Sequence, residues 1–225
     1  MEDFDLQSWI AEHSDADVLE RLLDAGALRV SGVPRGALAE LAREWSRRHD
    51  WKTAADSLGN TYEEAVLQAM VYGEASKGNQ TTLKWLARFL KQVDNVPLCD
   101  ATALACSFAV RRPDETLEFV TNRLNDTAPF IQRFAIMVLM DHYMTGDRLN
   151  RTLELYGTVK PHSPEAEQAL VKGYTAAFLN SPARTREALL HDRRPADDFN
   201  RLLDAMLQSP RLTPPLQETL AEIKR

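Results

Sequence analysis

The spacing of helix starts limits what this chain can fold into more than any other feature. Ser163-Pro164, Ser181-Pro182 and Thr213-Pro214 each put a hydroxyl N-cap before a proline at the first helical position, where no amide hydrogen is needed. Thr61-Tyr62-Glu63-Glu64 has the pattern of a capping box, with Thr61 facing the amide of Glu64 and the Glu64 side chain reaching back. Paired helices are predicted to begin near Thr61, Leu98, Pro129, Pro164 and Ala196. The intervals are roughly 31 to 37 residues, the period of stacked helix pairs. No stretch alternates in the way a half-buried strand would. The expected fold is all-α, an α-solenoid of HEAT-like helix pairs forming one domain over residues 1–225, with an acidic helical segment at 1–28.

Local signals fill in the elements. Val18, Leu19, Leu22 and Leu23 form an apolar stripe on a helix over about 15–25, with Ser14 as the expected N-cap and Gly26 as the stop. The stretch Arg29-Val30-Ser31-Gly32-Val33-Pro34 reads as a loop, followed by a helix to about His49 on which Arg43, Arg47 and Arg48 recur at helical spacing. Lys77-Gly78-Asn79 breaks the chain after the helix begun at Thr61. The segment from Leu98 to Val110 is almost wholly apolar and is expected to be one buried helix, with Asp100 in its first turn, where the helix dipole stabilises a carboxylate. Cys99 and Cys106 would lie about 10.5 Å apart on that helix, too far for a disulfide, so two buried thiols are expected. Further helices are predicted over about 114–124 and from Pro129, the latter carrying Arg133 as its only early charge.

Charge distribution matters more than the total. The net charge is −6, but residues 1–30 alone hold eight acids against two bases, and the remaining 195 residues balance 25 acids with 25 bases. A neutral body can still present one basic face. No apolar run approaches the roughly 18 residues that span a membrane, and MEDFDLQSWI lacks the pattern of a signal peptide. The five histidines, His13, His49, His142, His162 and His191, form no metal-binding spacing with the cysteines. A cytoplasmic monomer with no metal and no cofactor is expected.

Several strings occur in one order along the chain. They are YEEAVLQAMVYG, DNVPLCD (Asp94 to Asp100), PFIQRFAIMVLMDHYM, the helix around Lys172-Gly173-Tyr174, and the tail QSPRLTPPLQETLAEIKR. The loop containing Ser31-Gly32-Val33 adds a looser match. Together they resemble the AlkD-like DNA alkylation-repair (alkylpurine DNA glycosylase) family over about residues 30 to 225. In that family a form such as DNW-x-x-x-D opens a helix and ends in the catalytic carboxylate.

The resemblance implies a concave basic surface that grips duplex DNA, and hydrolysis of the N-glycosidic bond of cationic N7- or N3-alkylpurines. Asp100 matches the catalytic carboxylate and Arg133 the arginine near the lesion phosphate. Val96 stands where the first tryptophan of the family stands, and Tyr174 where the second does. Arg43, Arg47 and Lys172 are further candidate DNA contacts; Lys172, Arg184, Arg186, Arg193 and Arg194 suit phosphates or a solvated face about equally. Duplex DNA with alkylated bases is the implied partner, and the nucleoid the implied place. Valine offers no aromatic face, so a member of the family that binds DNA structures without excising bases is a second reading. A helical scaffold for protein partners is a third.

Overall fold

The computed structural model describes residues 4–76 and 79–225. Among these residues every regular element is helical. Lys77 and Gly78, part of the expected break, lie outside them. The chain divides into two compact units, Met1–Thr116 and Leu117–Arg225.

The first unit opens with two short helices, α1 (Leu6–His13) and α2 (Ala16–Asp24). Asp15, rather than Ser14, caps α2 by accepting the Val18 amide, while the Ser14 hydroxyl turns back to the Ile10 carbonyl at the end of α1. Gly26 ends the segment at φ +87°, as the left-handed stop requires. Next come α3 (Arg35–Ser46), α4 (Trp51–Asp56) and α5 (Tyr62–Ala75). They are followed by α6 (Gln80–Phe89) with a 3₁₀ turn at Leu90–Gln92, then α7 (Val96–Leu104) and the short α8 (Phe108–Arg111). Helix α5 is buried from Tyr62 to Gly73 and packs against α3, α4 and α7.

The predicted single helix from Leu98 to Val110 is broken at residues 105–107. The cause is tertiary. Gly73 of α5 lies against the Ala105 carbonyl so closely that an added Cβ would stand 1.9 Å from that oxygen. The Ser107 hydroxyl and the Arg111 guanidinium both donate to the Gly73 carbonyl, at 2.9 and 2.8 Å, and Arg111 also donates to the Ser76 carbonyl. These contacts hold the segment after Leu104 against the end of α5. Cys99 and Cys106 are both buried and free.

Helix α9 (Pro113–Thr121) leads into the second unit, which contains α10 (Pro129–His142), α11 (Arg148–Tyr156), α12 (Pro164–Asn180), α13 (Pro182–Leu190), α14 (Ala196–Leu207) and α15 (Pro214–Ala221). Alternate helices pack on one another, α10 on α12 and α12 on α14, just as α3, α5 and α7 do in the first unit. All three hydroxyl-proline pairs start helices where expected. Only Ser163 makes the cap bond, to the Ala166 amide; Ser181 and Thr213 make none, and Ser181 also ends α12.

Candidate nucleic-acid interface and carboxylate site

The start of α7 is built by Asp94 and Asn95. The Asn95 side chain accepts the Leu98 amide at 2.9 Å and donates its own amide hydrogen to Asp94 at 2.8 Å. Asn95 is therefore the N-cap and Val96 the first helical residue, which moves Asp100 to the fifth position, beyond the first turn. Asp100 therefore lies outside the first turn expected for it, and the dipole contributes less there because it fades after one turn. Leu98, Cys99, Ala101, Thr102 and Ala103 are buried. Asp100 is the only charged residue of α7, and it is half-buried at the border of an apolar core. Val96, four residues earlier on the same face, is half-buried too.

Beside α7 stands the first turn of α5, where two consecutive glutamates are buried for different reasons. Glu63 is 0% exposed, and its Oε1 accepts the backbone amides of Ser31, Gly32 and Val33 at 2.9, 2.8 and 3.4 Å. Glu64 accepts the amides of Gly59 and Asn60, at 3.2 and 2.8 Å, and the side-chain amide of Gln7. The capping box is thus half made: Thr61 accepts the Glu64 amide, but Glu64 reaches past the cap into the preceding loop. The Tyr62 amide donates to the Arg29 carbonyl at 3.0 Å. Arg29 sits at φ +52°, the only non-glycine residue with positive φ among the described residues, a conformation costing about 1–2 kcal/mol. Its side chain is 69% exposed and lies 3.9 Å from Asp94.

Between these segments lies a cavity of about 180 Å³, lined in part by Arg29, Thr61, Tyr62, Phe89, Asp94 and Leu98. Burial, the largest cause, pushes the Tyr62 phenol up to about 12, and the charges of Glu63 and Asp100 add to it against that of Arg35.

The remaining candidates divide into surface and interior residues. Arg43 on α3 and Arg47 just after it are exposed and make no ion pair among the described residues. Arg48 is drawn off by Asp50, at 2.8 Å, and by the face of Trp45. Lys172 is exposed on α12. Arg133 and Tyr174 are interior. Arg133 is 0% exposed, with its guanidinium donating to the Glu165 carbonyl at 2.8 Å and to the Gln168 side chain at 3.1 Å. Tyr174 donates to Asp192 at 3.3 Å, with Tyr156 and Arg194 against its ring. Burial raises its phenol well above the ordinary range. Both side chains join α12 to neighbouring segments, and in this arrangement neither reaches solvent. Tyr62, Glu63 and Arg29 were not singled out as site residues from the sequence. The signal available was the pair of acids opening an otherwise apolar helix, since buried carboxylates require donors.

Among the described residues the regular structure is all helical, and α7 carries one half-buried carboxylate at the border of its apolar face. A protein-family model described as DNA alkylation repair enzyme matches residues 8–192, and the chain belongs to that family. No curated protein matches it, and neither does any solved structure.

Proposed function

We propose that this protein binds duplex DNA, as a monomer in the cytoplasm at the nucleoid, and hydrolyses the N-glycosidic bond of cationic N7- or N3-alkylpurines, with Asp100 as the catalytic carboxylate. The observation that carries this is the placement of Asp100: one half-buried charge on an apolar helix, in a chain of the DNA alkylation repair family. A cationic purine needs no general acid. When the bond from C1′ to the base nitrogen breaks, its electron pair neutralises the ring and positive charge develops on the sugar. A fixed carboxylate beside that charge stabilises it, and accepts a proton as water adds to C1′. Loss of one such electrostatic partner lowers turnover by about 10²- to 10³-fold.

The test is release of free 7-methylguanine from methylated duplex DNA by wild type and by Asp100→Asn. Release that collapses in the variant supports the proposal. Equal release by both rules out Asp100 as the catalytic group. Absence of release by wild type, with salt-dependent duplex binding intact, supports the second reading, a family member that binds DNA without excising bases. That reading draws on the missing aromatic face at Val96 and the burial of Arg133 and Tyr174.

A further inference from the structure

Tyr62 differs from three other buried tyrosines of the chain. Tyr72 donates to Asp56, Tyr156 to the Ile136 carbonyl and Tyr174 to Asp192. Buried phenols ordinarily find such an acceptor. Tyr62 is only 8% exposed, yet its hydroxyl has no hydrogen-bond partner among the described residues, and it is not one of the unpartnered atoms sealed away from solvent. The residue lines the cavity beside α7, and cations lie on hand: Arg29 in the same lining, and Arg35, whose charge acts on the phenol. Arg29 is bound only weakly, since its contact with Asp94 is long and both side chains are exposed. The wall of the cavity is held in an unfavourable backbone conformation by the Tyr62 amide and by the grip of Glu63 on residues 31–33. Strain maintained in this way clusters at binding sites.

We propose that this cavity is a nucleotide subsite in which the Tyr62 hydroxyl donates a hydrogen bond to a phosphodiester oxygen, while Arg29 leaves Asp94 to pair with the same phosphate. The proposal rests on the DNA-binding reading above and makes it specific. Tyr62 supplies a substrate contact that Val96 cannot. The phenol, still protonated far above neutral pH, serves as a donor and not as an anion that would repel the phosphate.

The experiment is binding of a duplex carrying one tetrahydrofuran abasic-site analogue, at two salt concentrations, by wild type, Tyr62→Phe and Arg29→Ala. Thermal midpoints are measured alongside. Tyr62→Phe keeps the ring, so the midpoint is expected to stay put while affinity falls about tenfold or more, the worth of a hydrogen bond to a charged group. Arg29→Ala is expected to weaken binding and to reduce the salt slope by about one. Wild-type binding that Tyr62→Phe leaves unchanged overturns this inference and spares the DNA reading. A lowered midpoint with affinity intact also overturns it, because the hydroxyl is then structural. No binding by wild type removes both. Binding weakened by Tyr62→Phe in a protein that releases no base upholds the subsite within the non-excising reading.

Discussion

Replacing Glu63 by alanine tests whether one side chain holds the loop before α3. Its Oε1 receives two short hydrogen bonds, from Ser31 and Gly32, and a longer one from Val33. A hydrogen bond to a charged group contributes about 1.5–3 kcal/mol, so the two short ones together contribute about 3–6 kcal/mol. The third, at 3.4 Å, adds little. The cost of burying the carboxylate runs the other way. It does not cancel the loss, because the variant leaves amides in a buried loop with no acceptor. Native-state hydrogen exchange reads this directly. At about 1.4 kcal/mol per factor of ten, protection of the Ser31 and Gly32 amides should fall by about 10²- to 10⁴-fold, with amides of α10 and α12 unaffected. Glu63→Gln, which keeps an acceptor without the charge, should fall in between. Unchanged protection at Ser31 and Gly32 in Glu63→Ala would refute the assignment of the clamp.

Other substitutions follow from the same geometry. Gly73→Ala should destabilise the first unit by about 3 kcal/mol, the upper end of the usual overpacking cost, because the new methyl meets the backbone carbonyl of Ala105, which cannot rotate away; a denaturant midpoint equal to wild type would count against the close approach of α5 and α7. Arg133→Ala should lower the stability of the second unit by about 1–3 kcal/mol for each buried acceptor, the Glu165 carbonyl and the Gln168 side chain, left without its donor. If Arg133 acted only on DNA, denaturation would be unchanged and only affinity would fall. Alkaline stability follows from Tyr62: its folded value lies above the unfolded one, so the stabilising difference is complete below pH 10 and is lost as pH rises towards about 12. Ultraviolet titration of Tyr62→Phe against wild type should show a missing transition in that upper range. At the acid end, Asp50 is held down at about 2 by its hydrogen bond from Arg48, so its carbon-13 carboxyl titration should have its midpoint near pH 2.

Much of the helical plan was legible because its signals are local. A hydroxyl before a proline marks a helix start wherever the neighbours lie, and Pro164, Pro182 and Pro214 all open helices. The short helix α4 escaped notice: it buries a single residue, Ala55, and so carries no repeating apolar stripe. The break after Leu104 was invisible for another reason: no glycine or proline marks it, and its causes, Gly73 and Ser76, lie about 30 residues upstream. The candidate site divided in the same way. The approach to Asp100 through Asp94 and Asn95 could be located by a short string. The interior placement of Arg133 and Tyr174 depends on Glu165, Gln168 and Asp192, partners that no local pattern announces. The role of Glu63 could have been inferred, since a buried acid must find donors, but which amides would supply them is a matter of tertiary packing.

The end of α5 carries a consequence for the order in which the molecule is made. Its last carbonyls, at Gly73 and Ser76, are satisfied by Ser107 and Arg111. On a ribosome, where the N-terminal part emerges first, α5 leaves the exit tunnel well before those partners do. Until residue 111 is free, only water can serve its final turn. The helix is therefore synthesised as an unfinished element, and the segment that follows α7 completes it retroactively.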